Sequence, residues 1–478
     1  EITIGDWSSD VCSSDLWILT FVLCLTRSLS YEPFELRLHG SLEKGYFTTV
    51  IDVGRNKQTH GPLMTFNLLV DLETSATLIP SIHCENCKDG PGYDPELSDT
   101  ETLIGCSADY CDKNMKKYCP MNHSPNGQCC SRYEKDYCGW DSRINTFAST
   151  YYAEGSIVRD EFPFKANGFT GYFVNVFNST FDDLPDTAVG VLGLGEKACN
   201  PTCIDPIYSS LHSEVTWADN LFTLCFGRTE GILTIGTYDR RFQNGTLFWT
   251  RQRPNELGYT YDVQDMRIGN RTFLDLHKHP VPAEIKTNDR FIRLPQTMWR
   301  EFVATLKRDY SDLPGVANGT VFVGVSVTQI ERFPPFSVRL SGVLLHIPPQ
   351  AYFLPTEASE EEFQLGIRGW EEATVGLGLV FSRGLLVVFK QEMTGFAPAS
   401  KSHCRGDDDW QAIAEVEWAP EVKERGKVSL MTIIVIVLSI IVVICIGVMI
   451  AMKRKENEMK KRMGYGEMPS RSEERRVG

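Results

Sequence analysis

The sequence has no excess of positive charge and few patterns typical of long helices. Its 48 Lys and Arg residues are outnumbered by 62 Asp and Glu residues, which gives a formal net charge of −14 at pH 7. Nucleic acid is therefore an unfavourable partner, because phosphate backbones bind surfaces rich in Lys and Arg. Short apolar stretches separated by Gly, Pro and Asn turns recur instead, and this pattern predicts a mostly β fold.

Two further absences concern chemistry. The sequence contains no constellation of His, Ser and Cys that suggests nucleophilic catalysis, and we expect no cofactor. Cys84 and Cys87 have the spacing of half a zinc site, but no second pair follows at a matching interval and His123 stands alone. We therefore favour disulfide bonds over a metal at these cysteines, and zinc remains the alternative.

Both ends of the sequence lack the pattern of a folded domain. Residues 1–16 have neither a basic segment nor an apolar period. We interpret them, and residues 471–478, as non-native sequence that resembles translated adapter DNA. Residues 17–30 contain a short apolar run followed by small residues, which is typical of a secretory signal peptide.

One long uncharged run lies near the C-terminus. Residues 428–452 are long and apolar enough for a transmembrane helix. More basic residues follow this run than precede it, so the positive-inside rule predicts that residues 453–470 lie in the cytosol. We expect a single-pass type I membrane protein of the secretory pathway or cell surface, with a lumenal or extracellular ectodomain.

The expected ectodomain has the features of an oxidising compartment. It is longer than one hydrophobic core usually holds, which predicts two lobes. It contains twelve of the 15 cysteines, an even number that predicts disulfides at Cys84, Cys87, Cys106, Cys111, Cys119, Cys129, Cys130, Cys138, Cys199, Cys203, Cys225 and Cys404. Sequons predict glycosylation at Asn122, Asn178, Asn244, Asn270 and Asn318. Residues 84–138 form a polar insertion that disulfides would have to hold together.

The most informative stretch is Leu68–Ser75, an apolar strand that ends in the carboxylate of Asp71 and a polar turn. Residues 46–53 alternate as a strand, and with residues 64–70 they predict an antiparallel pair. A carboxylate in this position becomes catalytic when a second one meets it. Two close carboxyl groups share a proton and can act as base and acid on one water.

Other stretches carry recognisable patterns. Residues 145–157 predict a hairpin with its turn at Gly155 and Ser156, either folded over a cleft or simply on the surface. Residues 188–195 alternate glycine with apolar residues, so one face of this strand permits close approach of another backbone. Helical spacing appears at residues 296–307 and, more weakly, at residues 206–211.

In this order, the elements resemble the pepsin-like aspartic proteases over nearly the whole ectodomain. Residues 71–75 stand where that family has Asp-Thr-Gly-Ser-Ser, and residues 188–195 are similar to its hydrophobic-hydrophobic-Gly element. Tyr152 and Gly155 lie in a segment similar to its flap. The series continues through residues 222–225, 231–236, 259–269, 293–295, 376–389 and 395–397.

The resemblance implies a bilobal, mostly β fold, and the apolar run at residues 428–452 adds one C-terminal transmembrane helix to it. The N-terminal lobe would span residues 31–220, the C-terminal lobe residues 221–404, and a stalk residues 405–427. The cysteine-rich insertion is similar to that of the nepenthesin-type subgroup, and the family pattern implies that Cys225 pairs with Cys404. It also implies a cleft between the lobes, beneath the flap, in which an extended peptide would bind.

The second catalytic position is altered in this sequence. Counting back from residues 293–295, the family's second Asp-Ser/Thr-Gly falls on Lys286, Thr287 and Asn288. Asp289 lies three residues beyond Lys286, and a shift of that size would turn its side chain to the other face of a strand. We therefore do not expect Asp289 to replace the missing acid.

The first catalytic motif is altered as well. Leu72 replaces the Thr whose hydroxyl supports the partner loop in this family, and Glu73 replaces a Gly. Placed opposite Asp71, the ammonium of Lys286 is expected to form an ion pair and to lower the pKa of Asp71. No general acid would then remain.

The sequence thus favours a catalytically inactive, membrane-anchored homologue that retains Asp71 and binds an extended peptide or protein in its cleft. Two alternatives stay open. One is an active aspartic endopeptidase of the secretory pathway. The other is a receptor or adhesion scaffold that acts through the cysteine-rich insertion, residues 84–138.

Overall fold

The structure, a computed structural model, describes residues 34–115, 129–134, 136–145, 150–164, 168–180, 184–185, 187–196, 204–254, 258–313, 323–356, 362–401, 404, 412–416 and 452–455. Contacts divide the chain into a unit of residues 1–419 and a unit of residues 420–478, and every element named below belongs to the first unit. Within the described ranges no helix is long and apolar enough to cross a membrane. The predicted span at residues 428–452 lies outside these ranges apart from Met452. So do the predicted signal peptide and both segments interpreted as non-native.

Strands dominate the described chain, as the short apolar stretches predict. The strands are β1 (Phe34–Ser41), β2 (Tyr46–Arg55), β3 (Pro62–Asp71), β4 (Leu78–Glu85), β5 (Thr102–Leu103), β6 (Gly139–Asn145), β7 (Thr150–Phe162), β8 (Phe169–Ser179), β9 (Gly190–Gly193), β10 (Leu221–Phe226), β11 (Glu230–Ile235), β12 (Phe248–Arg251), β13 (Thr260–Ile268), β14 (Arg271–Asp275), β15 (Val281–Ile285), β16 (Ile292–Pro295), β17 (Val323–Val325), β18 (Phe336–Leu340), β19 (Val343–Ile347), β20 (Phe353–Pro355), β21 (Phe363–Leu365), β22 (Ile367–Trp370), β23 (Val375–Leu377), β24 (Leu385–Lys390), β25 (Met393–Pro398) and β26 (Ile413–Val416).

The helices are short with one exception. They are α1 (Asp109–Asn114), α2 (Ile207–Glu214), α3 (Gln296–Asp309), α4 (Val327–Ile330), α5 (Pro349–Tyr352) and α6 (Leu379–Ser382), with single 3₁₀ turns at Pro95–Leu97 and Arg240–Phe242. Helix α3 buries Met298, Phe302 and Leu306, which follow one another at helical spacing. The predicted helix at residues 296–307 is therefore confirmed, and α2 confirms the weaker pattern at residues 206–211.

Two large sheets carry the fold. The first has fourteen strands in the order β12-β25-β24-β10-β11-β1-β2-β3-β9-β4-β8-β7-β5, with β6 paired to β7. The second has nine strands in the order β22-β16-β23-β15-β13-β18-β19-β26, with β14 paired to β13. Strands β17, β21 and β20 form a small third sheet. The result is the mostly β architecture that the sequence predicts.

Strand β3 shows why the chain folds in this way around Asp71. Its residues Phe66, Leu68 and Val70 alternate into the main hydrophobic core and are fully buried. Strand β2 pairs with it in antiparallel register, which confirms the predicted strand pair. Strand β9 runs parallel on its other side and places Gly193 beside Asp71.

The glycines of β9 permit a close backbone approach, as predicted. A Cβ at Gly190 would lie 2.2 Å from the carbonyl oxygen of Leu78, and one at Gly193 would lie 2.3 Å from that of Ala76. Both distances are far below van der Waals contact. The turn after Asp71 can pack against β9 only because these side chains are absent.

The predicted turn at Gly155 and Ser156 is wrong. Both residues lie inside β7, where Gly155 pairs with Val176 of β8 and with Trp140 of β6. Residues 146–149, which connect β6 to β7 in the sequence, lie outside the described residues. A Cβ at Gly155 would lie 2.1 Å from the carbonyl oxygen of Asn175, so this glycine serves the packing of adjacent strands and not a turn.

Disulfides hold the insertion, as predicted. Cys84 bonds to Cys87, Cys106 to Cys130 and Cys111 to Cys138. Cys129 is also disulfide-bonded. The zinc alternative at Cys84 and Cys87 is therefore wrong. The predicted disulfide cysteines Cys119, Cys199 and Cys203 lie outside the described residues.

Cys225 and Cys404 are joined, as the family resemblance implies. Three of the predicted glycosylation sites are described. Asn244 and Asn270 are exposed, whereas Asn178 is partly buried and accepts a hydrogen bond from the side chain of Asn86. Asn122 and Asn318 lie outside the described residues, and glycosylation stays a prediction.

Candidate functional site

Asp71 is the last residue of β3 and is 1% exposed. Its carboxylate accepts hydrogen bonds from the main-chain N–H groups of Glu73 (3.2 Å) and Thr74 (3.0 Å) in the following turn. It also accepts one from the side-chain amide of Asn288 at 3.3 Å. The main-chain oxygen of Asp71 accepts a hydrogen bond from the N–H of Leu194, so the segment after β9 fixes the position of the turn.

The segment after β15 meets this turn from the second sheet. The hydroxyl of Thr287 donates to the carbonyl oxygen of Val70 at 2.9 Å and accepts from the N–H of Leu72 at 3.2 Å. These bonds place Lys286, Thr287 and Asn288 beside Asp71, as the register counted from residues 293–295 predicts. Leu72 has no hydroxyl with which to make a reciprocal hydrogen bond to the segment of Thr287. Its side chain is buried in the core instead.

Lys286 does not pair with Asp71, and this prediction is wrong. Its Nζ lies 2.9 Å from Oε1 of Glu73 and 3.2 Å from Oε2 of Glu284. Among the described residues these two carboxylates are its ion-pair partners. Glu73 reaches the ammonium because its longer side chain replaces the glycine of the family motif. Glu284 reaches it because strand residues two apart point to the same face.

The pKa of Asp71 is raised to about 6, so its net shift is opposite to the predicted lowering, although the charge of Lys286 does act in the predicted direction. Burial is the largest cause, because it penalises the charged carboxylate. The hydrogen bonds from Glu73 and Thr74 and the charge of Lys286 act in the opposite direction without cancelling that cost.

Glu73 is a second buried carboxyl group at the site. Burial, and then the charge of Asp71, raise its pKa to about 7 against the opposing effect of Lys286. Burial alone would lower the pKa of Lys286, but Glu73 and Glu284 raise it overall, so this ammonium stays charged. Glu73 is thus partly protonated near neutral pH, a proton donor that the sequence analysis did not consider, and the absence of a general acid stays a prediction.

Asp289 does not act as a second acid toward Asp71. It is 1% exposed, and its carboxylate accepts hydrogen bonds from the side chain of Arg293 and the main-chain N–H of Phe291. Asp289 and Arg293 form a buried ion pair. Among the described contacts, none joins Asp289 to the Asp71 carboxylate.

The two flap residues, Tyr152 and Gly155, make their described contacts within their own sheet. The hydroxyl of Tyr152 donates to Glu154 at 2.9 Å, and the main chain of Tyr152 exchanges two hydrogen bonds with Thr180. Among the described contacts, none joins Tyr152 or Gly155 to Asp71. The structure therefore brings Thr287, Asn288 and Lys286 to the site but not the predicted flap residues.

Sequence analysis missed Glu284 and Tyr259. The spacing Glu284-x-Lys286 could have indicated Glu284, because residues two apart in a strand lie on one face, here at the end of β15. Tyr259 carries no such signal. It is buried, and its hydroxyl donates to the carbonyl oxygen of Leu194 at 2.7 Å, so it supports the segment that holds Asp71.

The two large sheets and the paired loops around Asp71 define a pepsin-like aspartic protease fold. A family model described as eukaryotic aspartyl protease matches residues 147–399, and one described as xylanase inhibitor N-terminal matches residues 51–237. The first match covers more than half of the chain, which therefore belongs to the eukaryotic aspartyl protease family. No curated protein matches the chain.

Proposed function

We propose that this chain is a catalytically inactive member of its family that binds an extended peptide or protein ligand in a cleft between two lobes. We further propose that its ectodomain is held at a membrane by the segment at residues 428–452. One observation supports inactivity above the others. The position of the second acid holds Lys286, whose ammonium is bound between Glu73 and Glu284.

This arrangement opposes the shared-proton mechanism of the family. That mechanism needs two carboxyl groups on one water, with one proton between them. The ammonium of Lys286 cannot accept a proton, and its carboxylate partners raise its pKa further. From the same segment, Asp71 meets the amide of Asn288 and not an acid.

The framework around the site supports a binding role. The Thr287 hydroxyl still links the two loops through Val70 and Leu72, and β9 still packs against the turn after Asp71. Retention of this packing without the second acid supports a binding role for the site over a catalytic one. Extended peptides bind such sites chiefly through main-chain hydrogen bonds, which require no catalytic group.

The test is a peptide library presented to the purified full-length chain between about pH 3 and pH 7, a range that spans carboxyl titration. Mass spectrometry measures both cleaved peptides and intact peptides that stay bound. We expect no cleavage, an unchanged result for Asp71→Asn, and a reproducible set of bound peptides. Cleavage that Asp71→Asn abolishes would overturn inactivity, and a folded protein that retains no peptide would overturn the binding role.

A second candidate is an endopeptidase with an altered acid pair. The raised pKa values of Asp71 (about 6) and Glu73 (about 7) favour it, because they leave one carboxyl ionised and one protonated between those values. Asp71 would take a proton from the attacking water, and Glu73 would give one to the leaving amine. In this case cleavage peaks between about pH 6 and pH 7 and is lost in Glu73→Gln as well as Asp71→Asn.

A further inference from the structure

The two loops that meet at Asp71 carry polar side chains where the family has glycine. Glu73 stands at one of these positions and Asn288 at the other. The carboxylate of Glu73 binds the ammonium of Lys286 at 2.9 Å. The side-chain amide of Asn288 donates to Asp71 at 3.3 Å. The two replacements thus add one carboxyl group and one amide to the surroundings of Asp71.

The side-chain oxygen of Asn288 is buried without a hydrogen-bond partner among the described residues. The residue is 9% exposed. Its amide nitrogen is the atom bound to Asp71, because an ionised carboxylate accepts hydrogen bonds and cannot donate one. Buried polar atoms in proteins are nearly always paired, so an unpaired acceptor beside a carboxylate indicates a binding position for a donor.

Negative charge exceeds positive charge at this site. Asp71, Glu73 and Glu284 supply three carboxyl groups, and Lys286 supplies one ammonium. In the described part of the chain, no Lys or Arg other than Lys286 lies within ion-pair distance of any of the three. Burial raises the pKa values of Asp71 and Glu73, and the charge of Lys286 does not offset this effect. The site can therefore accept a further positive charge.

The exposure of the side chains shows how a ligand would reach this position. Those of Glu73, Lys286 and Glu284 are 16%, 16% and 23% exposed, so the site is open to solvent along these residues. Asp71 and Asn288 are less exposed, at 1% and 9%. A cation that reaches them must be compact. The ammonium of a lysine is compact, has three N–H donors and is carried on a flexible four-carbon stem, whereas a guanidinium is a broad plane.

We infer that the peptide ligand carries a lysine whose ammonium binds between the carboxylate of Asp71 and the side-chain oxygen of Asn288, with Glu73 as a further acceptor. A ligand hydroxyl or amide would pair the oxygen of Asn288 but leave the excess negative charge unbalanced. An acidic side chain would add to that excess. This inference rests on the proposed binding function and specifies the chemistry of its ligand.

The experiment presents two peptide libraries together to the full-length chain in detergent. Both contain neutral residues apart from lysine and are blocked at each end, and every lysine of the first is norleucine in the second. At about pH 7.5, above the pKa values of Asp71 and Glu73, mass spectrometry measures the ratio of retained lysine to norleucine peptides. We expect a ratio of about ten.

Variants are compared by the same ratio, because a distorted site weakens both kinds of peptide alike and leaves their ratio unchanged. Asn288→Gly restores the residue of the family and removes the unpaired oxygen, and Glu73→Gln removes a charge. Each should lower the ratio to about three or less. Glu96→Gln is the matched control, because it removes one carboxylate from an exposed residue of the turn at Pro95–Leu97 and should leave the ratio at about ten.

Two results would overturn the inference and leave the binding function in place. The first is equal retention of lysine and norleucine peptides by the wild-type chain. The second is an equal fall of the ratio in Glu96→Gln and Asn288→Gly, which indicates general charge attraction. A folded chain that retains peptides from neither library would instead overturn the proposed function, and the inference with it.

Discussion

At the scale of single residues, the site depends on which two of three buried carboxyl groups pair with one ammonium. Lys286 lies at the position where the family has an acid, and its charge is paired with Glu73 and Glu284. Asp71 instead accepts hydrogen bonds from neutral donors. The side chains of Lys286, Glu73 and Glu284 are only 16%, 16% and 23% exposed. Charges this buried are costly unless they are paired.

Removal of the ammonium is therefore expected to destabilise the protein. Lys286→Met leaves Glu73 and Glu284 buried without their partner and should lower the free energy of unfolding by about 3 kcal/mol. Lys286→Arg keeps the charge and should lose less. The control is Lys113→Met, whose exposed pair with Asp109 should change stability by less than about 0.5 kcal/mol. Denaturant unfolding at neutral pH measures all three, and equal losses in Lys286→Met and Lys113→Met would contradict the prediction.

The raised pKa values predict how stability depends on pH. Asp71 and Glu73 have folded-state pKa values of about 6 and about 7, above the ordinary values of 3.8 and 4.5. Folding therefore favours their protonated forms. Their contribution to stability is complete below the ordinary values near 4 and is lost progressively as pH rises to the folded-state values of about 6 and about 7. A shift of this size at Asp71 alone corresponds to roughly 3 kcal/mol.

We expect the Tm to fall between about pH 4 and pH 7, while Lys286 stays charged throughout. Replacement of both carboxyl groups by amides, Asp71→Asn with Glu73→Gln, should flatten this part of the profile. Differential scanning calorimetry across the range measures both. A wild-type Tm that rises toward neutral pH in step with the double variant would show that other groups control the dependence.

At the scale of elements, sequence reasoning succeeded where the signal was local. The run that ends in Asp71, the glycine pattern of β9 and the register from residues 293–295 each depend on neighbours in the chain. Two predictions failed, the turn at Gly155 and the ion pair of Lys286, because contacts with distant elements determine both. Gly155 is needed because Asn175 of another strand approaches it, and the partner of Lys286 depends on which side chain crosses from the other loop. No pattern within a single strand contains either contact.

The close approach at β9 gives a prediction at this scale. Gly193→Ala places a Cβ 2.3 Å from the carbonyl oxygen of Ala76, so the turn after Asp71 must move. We expect a loss of about 2 kcal/mol or more in the free energy of unfolding. Gly61→Ala is the matched control, because the nearest atom to its Cβ would be the Thr59 hydroxyl at 3.7 Å. If chemical denaturation shows the same stability for both variants, β9 does not limit the turn.

At the scale of the whole molecule, one disulfide closes a far longer stretch of chain than the other bonds whose two cysteines are both described. Cys225 and Cys404 are separated by 179 residues, whereas Cys84 and Cys87 are separated by 3. A bond that closes a longer loop restricts the unfolded chain more. Its pairing was implied by family resemblance, because sequence separation alone cannot identify partners among twelve cysteines.

Replacement of both members of a pair by Ala tests this difference. The Cys225→Ala and Cys404→Ala variant should lose about 2–5 kcal/mol of stability. The corresponding variant of Cys84 and Cys87 should lose less. Thermal unfolding under non-reducing conditions compares them. A greater loss for the short pair would show that local geometry in the insertion outweighs restriction of the unfolded chain.

The order of strands in the first sheet has a consequence for biosynthesis. Strand β1 hydrogen-bonds to β11, and β10 hydrogen-bonds to β24, so the sheet joins residues from Phe34 to Pro398. Pairings this distant in sequence form slowly, because the intervening chain loses conformational entropy before the strand contacts stabilise it. During synthesis, β1, β2 and β3 emerge long before β24 exists. The nascent chain therefore has unpaired strand edges until β24 has been synthesised, and unpaired edges of this kind are prone to aggregation.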